Sequence, residues 1–561
     1  MTRILRSLTL FLLVILLQPV QIAFASGGMV VSADPRASEA GQAMLRKGGS
    51  ATDAAMAMML ALTVVEPESS GIGGGGFLLH HDGKSGLIDS VDGRETAPAS
   101  ATPSLFIDPD GKPMPFMAAF PGGKSVGVPG NVALMAKVHA RWGKLPWADL
   151  FQPAIRLAEE GYAVNAYMFK RMTAVAPLWK DFPEARAIYW VDGAPAPVGT
   201  TIRNPALGAY LRRLAAEGPS AFYRGQNVDA VIKATGASPV NPVTIRPEDF
   251  ARYEAKDRPP VCGHYRAFKI CGMGPPASGG ITILEMLGML ERFDLAKLGK
   301  DNPVSWHLIA EAMQLAYADR DTWLADRDFV AVPVAGLIDP AYLKQRSRLI
   351  DPARARASYE AGAPPGAAPR TRALSSEVVS TTNFIAADGT GDVVVMTSTV
   401  EGYFGSQLVA NGYVLNNELT DFTFAPEKDG APVANRVEPG KRPLSSMAPT
   451  IVYDAADKPV FVVGAAGGRT IIMQVLKAII AHIDWGLSPA DAVALGLITQ
   501  GRDAVMIEQG SSAEAFKAPL EAMGHKVTVA PAAFKANAAV LTADGWTGAA
   551  DPRAPGVALA E

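Results

Sequence analysis

The chain has 561 residues, 48% hydrophobic and 19% charged, with 54 Gly and 43 Pro; this suffices for a large buried core and excludes a disordered or collagen-like protein. Its 52 Lys and Arg against 55 Asp and Glu leave a net charge of −3, with no electrostatic footprint for nucleic acid or an anionic membrane. Two Cys and seven His are too few for a cysteine-based zinc or iron–sulfur scaffold, so the composition points to a large globular enzyme.

At the N-terminus, Arg3 and Arg6 precede an apolar run from Leu8 to Leu17, broken by Gln18 and Pro19. Ala23-Phe24-Ala25 then supplies a small–x–small cleavage pattern. A run this short cannot span a bilayer, so residues 1–25 read as a cleaved secretory signal, and the mature chain as a periplasmic or secreted protein. No Cys follows the run, which argues against a lipoprotein anchor.

Ser38 to Leu62 reads as one helix from its Ala-Met-Leu periodicity. It leads into a glycine-rich turn, Ser69 to Gly76, and a strand from Phe77 to His81. From about Trp142 to Ile350, helical stretches alternate with Gly/Pro loops. Within that region Cys262 and Cys271 flank His264 to Phe268, and a hairpin turning on Arg266 and Ala267 would set the two Cys opposite each other. Export permits a disulfide there, while two buried thiols on neighbouring strands fit the pattern as well. Residues 351–376, rich in Ala, Arg and Pro, read as an exposed, mobile connector. After it, Thr382 to Ala387 and Val393 to Val400 form two strands about the turn Asp388-Gly389-Thr390-Gly391-Asp392.

Three motif matches fail on context. Gly71 to Gly76 fits a dinucleotide fingerprint, with Asp92 about twenty residues on, but it follows a helix and precedes a strand, the reverse of what that site needs. Gly123-Lys124-Ser125-Val126-Gly127 fits a nucleophile elbow yet runs into Val128-Pro129-Gly130 instead of a helix. The same Gly-Lys-Ser would end a phosphate loop, but Ala118 holds the position of its first glycine. His80 and His81 are adjacent, so they point to opposite faces of a strand, and the sequence offers no metal site.

The chemistry concentrates after the connector. In order come Ser380-Thr381-Thr382-Asn383-Phe384, Thr397-Ser398-Thr399-Val400-Glu401, Phe404-Gly405-Ser406, Leu415 to Phe422, Gly440 to Met447, and Gly464-Ala465-Ala466-Gly467-Gly468. Singly, each is ordinary strand or turn chemistry. Together the set resembles the γ-glutamyltranspeptidase family of N-terminal-nucleophile hydrolases. The resemblance also takes in Glu68 to Gly76, Arg94 to Pro98, Ser125 to Gly130, Pro275 to Gly280, Tyr317-Ala318-Asp319-Arg320 and Asp551-Pro552-Arg553.

That resemblance implies an α+β fold, the αββα four-layer sandwich, and a precursor that cuts itself between Ser380 and Thr381. A large subunit, 26–380, and a small catalytic subunit, 381–561, would result. Thr381 would then be the nucleophile, with its freed α-amine as base. Thr399 would orient it, and Gly467 and Gly468 would offer the backbone N–H pair for the oxyanion. Arg94, Ser445 and Ser446 would hold a substrate carboxylate, and Glu418 and Asp421 its ammonium, as opposite poles of one pocket. Glu401 stands where well-studied members carry Asn, adding a third acid near the ammonium; the loop from Thr423 to Arg442, a lid in some relatives, looks short.

The implied activity is cleavage of glutathione and other γ-glutamyl amides, with transfer to water, amino acids or dipeptides. It needs no cofactor, nucleic acid or stable membrane anchor. Two alternatives stay open on the sequence: a same-fold acylase acting on glutaryl amides, and a non-catalytic periplasmic binding protein.

Overall fold

The computed structural model describes residues 23–25, 27–368, 370–372, 380–501 and 503–561. Two antiparallel seven-stranded sheets lie face to face between helical layers. The inner-sheet strands alternate their side chains between two cores, as the pleat requires. Met29, Val31, Phe77, Leu79, Ile385 and Val395 face the second sheet, while Val30, Leu78, Phe384, Ala386, Val394 and Met396 pack on the N-terminal helices. The second sheet is covered in turn by the helices Gly279–Leu290 and Thr470–Ile483. This is the αββα arrangement.

The helical stretch from Ser38 to Leu62 is two helices, Pro35–Arg46 and Ala51–Val65. Gly48 takes φ +82°, which ends the first, and Ser50 with Asp53 forms a reciprocal capping box that starts the second. The apolar periodicity runs across this break and conceals it. All fifteen residues of Ala51–Val65 are buried, as suits a helix apolar on every side.

The hairpin after the connector pairs Thr382–Ala387 with Val393–Thr399, and these are central strands of the inner sheet. Asp388 closes its turn by accepting from the backbone N–H of Thr390 and Asp392. Strand Gly75–His81 lies against Val393–Thr399 and so brings the glycine-rich turn beside Thr399. His80 stacks on Trp142 while His81 meets Tyr453, on opposite faces of the strand.

Residues 1–22 of the expected signal lie outside the described residues; Ala23–Ala25 pairs along the strand Gly545–Ala550 at one edge of the second sheet. Among the described residues no helix is long and apolar enough to cross a membrane. The connector contains no helix or strand in its described part, but it is pinned to the body. Tyr359 is buried with its hydroxyl on Glu311, Gly362 N–H donates to Asp319 Oδ1 at 2.6 Å, and Ala355 N–H to Met523 O at 2.8 Å. Residues 369 and 373–376 of it fall outside the described residues.

Strands Val261–Tyr265 and Phe268–Gly272 place Cys262 opposite Cys271, with Arg266 at φ +54° in the turn, and the two Cys are bridged. Denatured without reductant, the protein should therefore show no titratable thiol, and with reductant two. Replacing both Cys by Ser should lower the thermal midpoint, the lost loop constraint being worth about 2–3 kcal/mol.

Candidate active site

Ser380 and Thr381 stand at the head of the inner-sheet hairpin, where the second sheet ends in Ala466 and turns through Gly467 and Gly468. Thr381 has φ +95°, a conformation that costs a β-branched residue about 1–3 kcal/mol. Contacts on both sides hold it. The Ser380 carbonyl accepts from Gly467 N–H at 3.0 Å, and Ser380 Oγ donates to Glu68 O at 2.7 Å. The Thr381 and Thr399 hydroxyls are 3.0 Å apart. Thr399 Oγ1 also accepts from Glu401 N–H at 2.8 Å, and either hydroxyl of the threonine pair can donate to the other.

Two glycines make this approach possible. A Cβ on Gly74 would sit 1.9 Å from Thr399 O, and one on Gly73 would sit 2.0 Å from Val414 O. The glycine-rich turn thus serves close packing of backbones around Thr399. Gly467, at φ +136°, and Gly468, at φ +56°, take backbone conformations open to glycine. Gly467 N–H is the donor that reaches the Ser380 carbonyl, and Gly468 lines the cleft beside Thr381.

One cleft gathers Thr381, Thr399, Gly468, Arg94, Glu401, Glu418, Asp421, Ser445 and Ser446, joined by Met447 and Ile471. Of the residues singled out from sequence, only Ser380 and Gly467 stand behind it, through their backbone. The charges are arranged differently from the expectation of opposite poles. Arg94 is 1% exposed, and its guanidinium pairs directly with Glu418 and, at 2.5 Å, with Asp421 Oδ2. It also donates to the carbonyls of Pro443 at 3.2 Å and Leu444 at 3.0 Å. A buried cation among acids must be neutralised by them, so the poles close on each other. Burial works against its charge, but Glu418 and Asp421 keep Arg94 firmly protonated.

Glu95 adds a further acid. Its two carboxyl oxygens and Glu418 Oε2 are buried with no donor among the described residues. Burial, opposed by Arg94, lifts Glu95 to about 7, and burial likewise pushes Glu418 well above the usual carboxylate range. A proton between the two carboxyl groups would serve one oxygen of each. Glu401 lies in the cleft with its carboxylate accepting from Asn417 Nδ2 at 2.5 Å.

Sequence reasoning left Ser278, Arg320 and Asp321 without roles, although two of the quoted segments contain Ser278 and Arg320. Arg320, fully buried, donates through Nη2 to Ser446 Oγ at 2.8 Å and through Nε to Ser278 Oγ at 2.9 Å. With a lone pair so engaged, the Ser446 hydroxyl is left to donate elsewhere. Ser278 holds Ser445 O through both its N–H, at 2.7 Å, and its hydroxyl, at 2.6 Å. The loop after Thr423 forms a small hairpin, Glu427–Lys428 with Ala431–Pro432. Asn435 staples it beside the cleft, donating to Asp421 O at 2.8 Å and accepting from Leu444 N–H at 3.0 Å.

The profile of the family described as gamma-glutamyltranspeptidase matches residues 37–561. The chain belongs to the γ-glutamyltranspeptidase family. It is 36% identical over 534 residues to a glutathione hydrolase proenzyme of Bacillus subtilis, covering 91% of this chain and 87% of that one. It is 37% identical over 551 residues to the acylase ACY 1 proenzyme of a Pseudomonas strain, covering 96% and 94%. The crystal structure of a cephalosporin acylase from Bacillus halodurans superposes with a TM-score of 0.86 at 26% identity, over 96% and 97% of the two chains. The γ-glutamyltranspeptidase family is one of enzymes, so a non-catalytic binding protein is set aside, while both hydrolase and acylase relatives are present.

The Glu95 carboxyl gives a pH test. Its folded value of about 7 lies above the ordinary 4.5, so the folded state holds a proton that the unfolded chain releases between those values. The stability it contributes is present at low pH and falls as pH rises from about 4.5 to about 7, staying lost above. Glu95→Gln abolishes that titration. Its thermal midpoint should drop less than the wild type's between about pH 5 and about pH 8, as read by calorimetry.

Proposed function

We propose that the protein is an exported precursor that cuts itself before Thr381 and then hydrolyses or transfers γ-glutamyl groups through an ester on that residue. The seating of the Ser380–Thr381 peptide carries the reading: strained φ, carbonyl on Gly467 N–H, hydroxyl on Thr399. In the first reaction, Thr381 Oγ1 attacks the Ser380 carbonyl carbon, and the Gly467 N–H meets the oxyanion. Collapse breaks the C–N bond, passes the proton to the leaving nitrogen and leaves an ester that water hydrolyses. The Thr381 amine is freed with a pKa near 8 and becomes a base attached to its own nucleophile.

The second reaction reuses the same parts. Thr381 Oγ1 attacks the γ-carbonyl of the substrate, its amine takes the proton and returns it to the leaving amine, and an ester forms. Water, an amino acid or a dipeptide then resolves that ester. The proenzyme designations of the relatives support the processing. The disulfide and the N-terminal signal pattern support export.

The cleft's charge favours γ-glutamyl over glutaryl groups. Arg94 stands against Glu401, Glu418 and Asp421, with Glu95 behind them. Such a site gains from the ammonium of a glutamyl group and repels a glutaryl group, which brings only an anion. In this reading the substrate ammonium enters among the acids and frees Arg94 toward the α-carboxylate, joined by the hydroxyls of Ser445 and Ser446.

Purified Thr381→Ala should remain one chain of precursor size on denaturing electrophoresis, while the wild type yields two with Thr381 leading the smaller. Splitting of the variant at that bond would overturn the autocatalytic reading. Asp421→Ala should still be processed but lose about 2–3 kcal/mol of transition-state binding, or about 30–150-fold in kcat/KM on a γ-glutamyl anilide. Equal wild-type rates on glutaryl and γ-glutamyl anilides would favour the acylase alternative.

A further inference from the structure

Away from the cleft, three ligand-type side chains meet in the interior. The helix Pro303–Trp323 carries His307 and Glu311 one turn apart on the same face. His525, between the helix Lys517–Ala522 and the strand Val527–Ala530, packs against them from the C-terminal portion. His307 and Glu311 are 0% exposed and His525 is 6% exposed. Each offers one donor atom, and the three atoms lie within 4.8 Å of one another.

The surroundings already orient them. His307 Nε2 is 2.7 Å from Asp351 O, a pure acceptor, so that nitrogen carries the proton and Nδ1 bears the lone pair. That lone pair faces His525 Nε2 at 2.8 Å. Glu311 Oε2 accepts from the Tyr359 hydroxyl and from Arg356 N–H at 3.4 Å, while Glu311 Oε1 is buried without any donor among the described residues. A backbone carbonyl behind a histidine and a hydroxyl behind a carboxylate are the outer partners that metal ligands ordinarily have.

We propose that His307, Glu311 and His525 bind one divalent cation of the zinc class, tying the C-terminal portion to the long helix and to the connector. A hydrogen bond between the two histidines satisfies them alone, but it leaves Glu311 Oε1 unserved. An ion takes both imidazole lone pairs and that oxygen together. His525 binds by moving its proton from Nε2 to Nδ1, with no net loss, and Glu311 binds ionised. Two imidazoles and one carboxylate suit Zn2+, Co2+ or Ni2+ and disfavour Mg2+ and Ca2+, which prefer oxygen. The ligands come from both sides of Ser380–Thr381, so the ion would also clasp the two chains after processing. The site itself does not depend on that cut.

The test uses full-length protein stripped by chelation and titrated with Co2+, following its visible absorption, and with Zn2+ in equilibrium dialysis. One ion per chain is expected, with the visible band of a low-coordinate Co2+ site and a saturable rise in thermal midpoint. His525→Ala and Glu311→Gln should each weaken binding about tenfold or more. Tyr359→Phe, which removes only an outer partner and keeps the ligands, should weaken it less. Failure of the wild type to bind one ion, or stoichiometric binding unchanged in His525→Ala and Glu311→Gln, would overturn the proposal.

Discussion

The 3.0 Å meeting of the Thr381 and Thr399 hydroxyls depends on the register of a single hairpin, in which Thr382 lies opposite Ser398. A one-residue slip would turn every side chain of these strands to the other face and separate the two Thr. Burial on both faces forbids that slip: Ile385 and Val395 are committed to the inter-sheet core, Phe384 and Val394 to the helical one. The geometry of the threonine pair is therefore maintained by packing that extends across four layers. The glycine-rich turn completes the arrangement by letting the neighbouring backbone reach Thr399 O.

Electrostatics places a second constraint on the site. One buried guanidinium answers several acids, and burial pushes Glu95 and Glu418 toward their protonated forms. Such a cluster depends on Arg94, because its removal would leave the buried acids Glu418 and Asp421 without their cation. The Arg320–Ser446 and Ser278–Ser445 contacts add a rigid polar wall on the other side of the cleft. Arg320 shares Asp321 with Arg469, whose neighbour is Gly468, so the turn through Gly467 and Gly468 and the serine pair are braced by one network.

What could be read from sequence was local. The hairpin strands and the turn at Asp388 were legible because β-branched runs and a glycine turn occupy adjacent positions. The Cys pairing was half-legible, since nine residues of separation allow opposition without requiring a bond. The break at Gly48 was concealed because the apolar period continues through it. Arg94 against Glu418 and Asp421 joins residues more than three hundred positions apart, and no pattern announces which charges close on each other. His307 and His525, 218 positions apart, are invisible for the same reason.

The pinned connector governs the fate of the new chain end once the bond is cut. The last of its described residues before the junction, Arg372, lies 3.7 Å from Asp321 and accepts through its carbonyl from Lys428 Nζ at 3.0 Å. The eight residues from there to Ser380 can reach about 26–29 Å when extended. If the bond is cut as proposed, that reach lets the new end give up its contacts with Glu68 and Gly467 while those of Arg372 survive. The new end also carries a carboxylate, born beside a cleft already rich in acids. Repulsion would drive it out, and the ammonium form of the new Thr381 terminus would be drawn in; the cut would clear its own doorway.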